Sequence, residues 1–363
     1  MSVEFIGYVG SRNHSEIIPA SGPVVDPKHI ETAAKIHENG GFDRVLVAFH
    51  SNSPESILIA QHAASVAPDL GLLIAHRPGF NAPTIVARQL ATLDNLTRGR
   101  VAVHIITGGS DLELQADGDH TTKAQRYART SEYLDIVRQE WSQTTPFDYK
   151  GVFYDVRGAN SLVHPYDADA LPVYFGGSST EAIEVAGKHA DVYALWGETY
   201  EQVAETVSRV RAAAAKHGRS PRFSLSLRPI LAETEEAAWA RADRILEKAR
   251  FLQETTGFVR NKDVPNEGSR RLLAAAAQGS RLDKRLWTGI AELTGAKGNS
   301  TSLVGTPHQV AEAFIDYYRL GISTFLIRGF DPLLDAYEYG RDLIPLVHEL
   351  VAEEDNRRLT RVA

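Results

Sequence analysis

Short runs of apolar, largely β-branched residues alternate along the chain with longer stretches in which apolar residues repeat every three or four positions. The short runs are continuously apolar, which is typical of parallel strands buried on both faces. Eight such runs are present, at residues 5–9, 44–49, 71–76, 100–106, 171–177, 191–195, 223–231 and 323–329. Eight strands that alternate with helices predict a (β/α)8 TIM barrel.

The stretches between these runs carry the periodicity of helices. Val86, Leu90 and Leu93 mark one apolar face, and Gly99 supplies a stop after that helix. A doubly wound sheet is the main alternative, but it usually has roughly five to seven strands, and no GxGxxG follows the first strand here. The other helices are predicted near residues 28–40, 54–66, 123–142, 179–189, 200–217, 234–253, 308–320 and 333–352.

Two segments interrupt the alternation. Residues 144–170 read as a hairpin or an extended excursion before the fifth strand, and residues 254–306 separate the seventh strand and its helix from the last helix and strand. Insertions at the C-terminal face of a barrel are typically lids or substrate loops, although a solvated loop without function is the alternative. We therefore predict a single TIM-barrel domain over residues 1–363 with two insertions at that face.

Composition narrows the class of protein. The chain has 363 residues, of which 43% are hydrophobic and 23% charged, and no run approaches the roughly 18 apolar residues of a membrane span. The N-terminus lacks the pattern of a signal peptide, and there is no cysteine for disulfide or thiolate chemistry. We therefore expect a cytoplasmic protein. The net charge of −7 and the lack of a basic tract argue against a nucleic-acid partner.

Four arginines fall at or just after predicted strand ends, where a barrel carries its active site. They are Arg12, Arg77, Arg228 and Arg328, and in the sequence Asp111 and Glu198 are the nearest acids. On a chain of net negative charge, such a cationic ring predicts an anionic ligand, for example a phosphate or a sulfonate. Ion pairs along the rim of the barrel are the alternative explanation.

The segment Gly176-Gly177-Ser178-Ser179 ends the fifth strand and opens a helix. Glycine lets a ligand approach the backbone closely, and the N-terminus of a helix attracts phosphate. Ser178 and Ser179 are both N-cap candidates. No HExxH, GxSxG or Walker A motif is present, so the sequence predicts neither a metal site nor a covalent nucleophile, and its chemistry points to a bound cofactor.

Residues 77–100, followed by ITGGSDLEL at 106–114, resemble the alkanesulfonate monooxygenase family within the bacterial luciferase-like flavin-dependent monooxygenases. PVYFGGSSTEA at 172–182, YALWGE at 193–198 and LVGTP at 303–307 resemble the same family. The resemblance implies a barrel that binds reduced FMN (FMNH2), supplied by a separate NAD(P)H-dependent FMN reductase. It implies that O2 is the co-substrate and that the C–S bond of an organosulfonate is cleaved to an aldehyde and sulfite. A homo-oligomer, dimer or tetramer, with a role in sulfur metabolism is also implied.

The cofactor residues of the family match this chain well. Thr107 and Gly108 match the turn beneath the flavin ring, and Tyr127 matches the tyrosine at the flavin phosphate. Lys123 stands where the family commonly has histidine, but a lysine can still serve a phosphate as a point charge. The expected cofactor-binding residues are Thr107, Gly108, Lys123, Tyr127, Gly177, Ser178 and Ser179.

The substrate residues of the family match less well. Ser53 aligns with the family's cysteine, Arg228 with its strand-seven histidine, and Thr294 with the arginine of its lid. Arg12 aligns roughly with another histidine, and His14 stands two residues on. Because Arg228 replaces a titratable group with one that stays charged, the sequence predicts a bound anion, more polar or more strongly anchored than a simple alkyl sulfonate. The candidate catalytic residues are Arg228, Trp196, Arg12, His14, Ser53, Lys297 and Arg328.

Three alternatives to a desulfonating enzyme stay open. One is a luciferase-like monooxygenase that acts on a sulfone, an aminopolycarboxylate or a heterocycle. Another is a deazaflavin-dependent oxidoreductase that transfers hydride, against which the FGGSS and WGE segments argue. The last is a non-catalytic flavin or anion binder.

Overall fold

The computed structural model describes residues 3–167, 171–256, 266–296, 298 and 300–362. Eight parallel strands form a closed barrel in the order β1-β14-β9-β8-β7-β4-β3-β2, so the predicted (β/α)8 fold is confirmed. The barrel strands are β1 (Glu4–Tyr8), β2 (Arg44–Val47), β3 (Gly71–His76), β4 (Val101–Ile105), β7 (Val173–Gly176), β8 (Val192–Trp196), β9 (Arg222–Leu227) and β14 (Thr324–Ile327).

Helices follow the barrel strands at the predicted places. The helix predicted over 333–352 consists of two α-helices joined by a π-helix at Tyr339–Leu343. The helices are α1 (Pro27–Asn39), α2 (Ser56–Val66), α3 (Pro83–Thr97), α4 (Asp111–Ala116), α5 (Lys123–Ser142), α6 (Thr180–His189), α7 (Tyr200–Ala215), α8 (Glu235–Thr256), α9 (Glu267–Ala276), α10 (Gly289–Thr294), α11 (Pro307–Arg319), α12 (Leu334–Glu338) and α13 (Ile344–Val362). None of the helices in these described ranges is both long enough and apolar enough to cross a membrane.

The end of α3 agrees with the predicted stop at Gly99. Arg98 is the left-handed C-cap, with φ of 56°, and Gly99 follows with φ of 82°. The N–H of Gly99 donates to the carbonyl of Asp94, which closes the helix end in the manner of a Schellman motif. Gly99 therefore stops the helix from the position after the cap.

The contacts divide the chain into two compact units. The first unit comprises Met1–Val45, Ala194–Arg209 and Arg222–Ala363, and the second comprises Leu46–Tyr193 and Val210–Pro221. In the first unit β14 pairs with both β1 and β9. In the second unit β4 pairs with both β3 and β7.

The two insertions have secondary structure of their own. Within 144–170, β5 (Phe147–Lys150) and β6 (Asp155–Ala159) form an antiparallel hairpin, which is one of the two alternatives that the sequence left open. Residues 254–306 contain α9, α10 and three short strands, which join β10 from outside this segment in a small sheet of order β10-β13-β12-β11. Its strands are β10 (Ile230–Leu231), β11 (Arg281–Leu282), β12 (Leu286–Trp287) and β13 (Ser302–Gly305).

The seventh predicted strand, residues 223–231, is wrong as one element. It divides into β9 in the barrel and β10 in the small sheet, with Arg228 and Pro229 between them. Proline has no N–H to donate to a strand ladder, which accounts for the break. Arg228 therefore stands at the C-terminal end of a barrel strand, where the sequence placed it.

The π-helix fixes the approach of two backbone segments in the first unit. A Cβ on Gly340 would lie 2.4 Å from the Cα of Gly40, so position 340 needs glycine. The hydroxyl of Tyr339, the first residue of the π-helix, donates to the carbonyl of Pro229. The π-helix therefore contacts the residue that directly follows Arg228.

Candidate active site

The glycine after β7 lies beside the predicted phosphate tyrosine. Gly177 has φ of 132°, and a Cβ there would lie 2.8 Å from the Cβ of Ala182 and 3.4 Å from the hydroxyl of Tyr127. A side chain at this position would be strained and would fill the space in front of the tyrosine. Gly177 thus keeps open a small concave surface at the end of β7.

The two serines that follow have separate places. The Ser179 hydroxyl accepts a hydrogen bond from the N–H of Ala182 at 3.3 Å and is the N-cap of α6. Ser178 precedes the cap and is half-buried. The first N–H groups of the ten-residue helix α6 lack intrahelical partners, and with the helix dipole they favour an anion.

Tyr127 and Lys123 extend the same surface from α5. Burial raises the pKa of Tyr127, and a hydrogen bond with Ser179 opposes the rise, so the phenol stays protonated at neutral pH and is able to donate. The Lys123 ammonium lies 5.9 Å from the centre of the Tyr127 ring and 3.5 Å from the carboxylate of Glu181. That pair is about half exposed on both sides, so it is weak and leaves the lysine available to a phosphate.

The turn after β4 carries a buried hydroxyl without a partner. The Oγ1 atom of Thr107 is buried and has no hydrogen-bond partner among the described residues. Gly108 has φ of 95°, and a Cβ there would meet the side chain of Leu114 at 2.8 Å. An orphaned polar atom in a tight glycine turn is the arrangement expected where a ligand or a water completes the hydrogen bonding.

Arg77 is a buried ion-pair residue of the second unit, which corrects its assignment to an open cationic ring. Its Nη2 atom donates to Glu113 at 2.8 Å, and Asp117 lies 3.9 Å from Nη1. Although burial opposes ionisation, hydrogen bonds from His50 and Arg77 lower the pKa of Glu113 to about 2. Asp111, expected near the ring, pairs instead with Arg126 at 2.8 Å.

This pair predicts a pH-dependent stability. Because the pKa of Glu113 is lowered from 4.5 to about 2, its ionised form stabilises the fold above pH 4.5, and that contribution disappears as the pH falls towards 2. We expect Glu113→Gln to cost about 2 kcal/mol at pH 7, with the difference from the wild type narrowing between pH 5 and pH 3. Chemical unfolding of both proteins across this range measures it, and a pH-independent difference would contradict the assignment.

Ser53 closes a turn. Its hydroxyl accepts from the N–H of His50 at 2.9 Å and donates to the carbonyl of the same residue at 2.9 Å. The hydroxyl thus serves the local backbone in the second unit, and a contact with substrate stays a prediction.

Arg228 and Arg328 share one carboxylate in the first unit. The Oε2 atom of Glu16 accepts from Arg228 at 2.9 Å, and its Oε1 atom accepts from Arg328 at 3.0 Å. Arg228 has no exposed surface, donates to the carbonyl of Gly329 at 2.9 Å, and stacks 3.6 Å from the centre of the Phe330 ring. We call Arg228 and Arg328 the arginine pair. Ion pairing therefore accounts for three of the four predicted ring arginines.

Two more of the predicted substrate residues, Arg12 and His14, lie in the loop after β1. His14 is exposed and lines a small cavity with Tyr8 and Arg328. Arg12 is half-buried, and its carbonyl lies 3.3 Å from Nδ1 of His14. Thr294 ends α10, where its hydroxyl donates to the carbonyl of Ile290, and Lys297 lies outside the described residues. Within the described ranges no group of three or more His, Asp or Glu side chains is placed to hold a metal ion.

Trp196 ends β8 and lies under helix α9. A Cβ on Gly268 would lie 2.7 Å from the Trp196 ring, so this glycine permits the close contact. Two residues on, Glu198 accepts hydrogen bonds from Nε and Nη2 of Arg271 at 2.9 Å. Glu198, expected beside the arginine ring, therefore holds α9 against the strand end.

The sequence missed three partners, namely Glu16, Glu113 and Arg271. Each pairs with a residue between 36 and 212 positions away, and no periodic pattern links such positions. Glu16 and Glu113 carried a usable signal, because each is an acid in the segment that follows a predicted strand.

Comparison with known proteins places this geometry in context. A sequence model described as Luciferase-like monooxygenase matches residues 3–324. The structure resembles an EDTA monooxygenase from Chelativorans sp. BNC1 at 18% identity and a TM-score of 0.78, over 96% of this chain and 94% of that chain. It also resembles a riboflavin lyase solved with modified FMN and riboflavin, at 18% identity and a TM-score of 0.78, over 96% of this chain and 92% of that chain. A long-chain alkane monooxygenase is 18% identical, with a TM-score of 0.75, over 98% of this chain and 92% of that chain.

Proposed function

Since the chain belongs to the luciferase-like monooxygenase family and is therefore a flavin-dependent monooxygenase, we propose that its cofactor is reduced FMN and its substrate a small organosulfonate. In this proposal O2 is the co-substrate, the C–S bond is cleaved, and the products are an aldehyde and sulfite. A separate NAD(P)H-dependent FMN reductase supplies the cofactor. The resemblance of the chain to alkanesulfonate monooxygenases also supports a cytoplasmic homo-oligomer, dimer or tetramer.

The observation that carries the cofactor assignment is the surface around Gly177. The open glycine, the Tyr127 hydroxyl and the start of α6 converge there, and Lys123 adds a cation. These donors fit a terminal phosphate. In the same unit the orphaned hydroxyl of Thr107, beside the tight turn at Gly108, fits a polar ring atom. Reduced FMN, when bound, supplies the electrons that activate O2.

The substrate assignment rests on charge. The arginine pair carries two positive charges against the single carboxylate of Glu16, and both arginines stand at the ends of barrel strands. An arginine offers paired donors to the oxygens of a sulfonate or a carboxylate and remains charged at neutral pH. The pair therefore fits the head group of an organic anion, and Trp196 offers an apolar ring at the end of β8.

A second candidate is the same oxygenation on a substrate that is not a sulfonate. The arginine pair fits a carboxylate as well as a sulfonate, and one protein of similar structure is an EDTA monooxygenase. This favours an aminopolycarboxylate over a neutral sulfone or a heterocycle. Only the products separate the two candidates.

Sulfite release tests the proposal. The chain is incubated with FMN, NADH and a flavin reductase across a panel of sulfonates, with dimethyl sulfone and an aminopolycarboxylate included. Sulfite and aldehyde in equal amounts from at least one sulfonate are the expected result, and the reductase alone serves as control. Oxidation of the aminopolycarboxylate with no sulfite from any sulfonate would support the second candidate.

Tyr127→Phe tests whether the surface around Gly177 binds the flavin phosphate. The variant removes one hydroxyl that we assign to a charged phosphate, so we expect affinity for reduced FMN to fall about tenfold. Affinity for reduced riboflavin, which lacks the phosphate, should stay unchanged. Anaerobic fluorescence titration measures both, and the exposed Tyr166→Phe is the matched control. An equal loss for both flavins would move Tyr127 away from the phosphate.

A further inference from the structure

The carboxylate of Glu16 is enclosed between the arginine pair in the manner of a bound ligand. It gives one oxygen to each guanidinium, at 2.9 and 3.0 Å. Its side chain is 9% exposed, that of Arg328 is 21% exposed, and that of Arg228 is not exposed at all. The group that fills the space between the two arginines is thus a two-oxygen anion supplied by the chain itself.

The charges of this cluster do not balance. In the part of the chain that the structure describes, Glu16 is the only carboxylate within 4.0 Å of either arginine. Nε and Nη1 of Arg228 and Nε of Arg328 are buried with no hydrogen-bond partner among the described residues. Burial lowers the pKa of Arg228 only to about 10, so its guanidinium is charged at neutral pH. The cluster therefore keeps one net positive charge and unused donors.

The ion pair of Arg77 provides the contrast. There one guanidinium faces two carboxylates, Glu113 and Asp117. That cluster is negative overall and leaves no surplus charge for an anionic ligand. A buried arginine at a strand end is therefore not enough to indicate anion binding in this chain, and the excess of arginine over acid around Glu16 is what distinguishes the pair.

We propose that Glu16 is a specificity-determining residue whose carboxylate occupies the place of the substrate's anionic head group. A ligand with two oxygens on one centre, a sulfonate or a carboxylate, replaces Glu16 and gives one oxygen to each arginine. This inference deepens the proposed function, because it rests on an anionic substrate at the same site.

Replacement fits the structure better than simple addition. The adjoining cavity, lined by Tyr8, His14 and Arg328 among others, has room for little more than a water molecule. An anion thus reaches the enclosed Arg228 only if Glu16 leaves. Both arginines directly follow barrel strands, whereas Glu16 lies in the segment 9–26, which contains neither helix nor strand. The carboxylate is therefore the part of the cluster that moves.

Glu16 competes with the substrate anion for the arginine pair, and this competition affects the measured affinity. The substrate anion must displace Glu16, so its apparent affinity is lower than the arginine pair alone would give. A neutral molecule of the same shape gains nothing from the exchange, because it does not replace the lost ion pairs. Glu16 thus sets a threshold of affinity at the arginine pair, which an anion that forms both ion pairs exceeds and a neutral molecule does not.

Anion binding by the flavin-free protein tests the proposal. Calorimetric titration with methanesulfonate, and with the near-isosteric but neutral dimethyl sulfone, is performed on the wild type, Glu16→Gln and Glu113→Gln at matched ionic strength. We expect Glu16→Gln to bind methanesulfonate at least about tenfold more tightly than the wild type, with dimethyl sulfone unaffected. Glu113→Gln, which removes a carboxylate from the acid-rich cluster, should match the wild type. An unchanged affinity in Glu16→Gln would overturn the proposal.

A second measurement needs no variant, in case Glu16→Gln does not fold. Hydrogen exchange of residues 9–26 in the wild type should become faster with saturating methanesulfonate and stay unchanged with dimethyl sulfone. If methanesulfonate leaves the hydrogen-exchange rate of residues 9–26 unchanged, the proposal that the ligand displaces Glu16 is overturned. Sulfite release without faster exchange would retain the proposed function and reject this inference. Faster hydrogen exchange with methanesulfonate, but no sulfite from any sulfonate, would retain the displacement of Glu16 and reject the proposed desulfonation.

Discussion

Arg228→Ala is expected to lower turnover by roughly a hundredfold or more and to leave the affinity for reduced FMN unchanged. The guanidinium of Arg228 bonds to Glu16 and to the carbonyl of Gly329, and it stacks on Phe330. If it holds one oxygen of the substrate anion through a charged hydrogen bond, its loss costs about 3 kcal/mol in transition-state binding, or roughly a hundredfold or more in kcat/KM. The residues assigned to the flavin lie in the second unit, whereas Arg228 lies in the first.

Steady-state kinetics and anaerobic flavin titration check the two parts of this prediction separately. Arg228→Lys is the matched control, because lysine keeps the charge but lacks the fork of donors. We expect it to retain more activity than the alanine variant and less than the wild type. A collapse of flavin affinity in Arg228→Ala would contradict the assignment of substrate and cofactor to different residues.

Arg271→Ala is expected to lower the free energy of unfolding by about 3 to 5 kcal/mol. The side chain of Glu198 is 5% exposed, and three hydrogen bonds from Arg271 hold it at 2.9 to 3.1 Å. Removing the arginine leaves a buried carboxylate without its countercharge. Burial already raises the pKa of Glu198, and the hydrogen bonds from Arg271 are what oppose that rise. Urea unfolding measures the loss.

The neighbouring residue supplies the control. Arg270 pairs with Glu267 on the surface of α9, where their side chains are 55% and 39% exposed. Exposed pairs of this kind contribute about 0 to 1 kcal/mol, so Arg270→Ala should be nearly neutral. Replacing Glu198 and Arg271 together with apolar residues should recover much of the stability that Arg271→Ala loses. Equal effects of the two single variants would show that the buried pair is not a special contact.

The sequence predicted those features that depend on neighbouring positions. Buried parallel strands are continuously apolar and helices repeat near every fourth residue, so the eight-fold alternation could be read directly. The residues that we propose for the flavin phosphate could also be found in the sequence, because Gly177, Ser178 and Ser179 are consecutive and Tyr127 lies one helical turn after Lys123. The resemblance to alkanesulfonate monooxygenases then suggested that these residues bind the flavin phosphate.

The ion pairs could not be predicted, because each depends on where the fold brings distant segments. Arg228 and Glu16 are separated by 212 positions, and Arg271 and Glu198 by 73. A charged residue at a strand end has the same appearance in a sequence whether it faces a ligand or an internal carboxylate. For that reason the sequence left ion pairs open as an alternative to a cationic ring, and three of its arginines, Arg77, Arg228 and Arg328, lie in ion pairs with different charge balances.

The π-helix between α12 and α13 makes the length of this segment as important as its composition. A π turn holds one residue more than an α turn, so it accommodates a single-residue insertion inside a continuous helix. Deleting one residue between Tyr339 and Leu343 would restore regular α-helix and rotate one half about 100° against the other. Tyr339 would then leave the carbonyl of Pro229, and Gly340 would leave Gly40. The contacts of Tyr339 and Gly340 therefore depend on the number of residues in this segment. A chain that is shorter here by one residue would lose these contacts, even when every remaining side chain is the same.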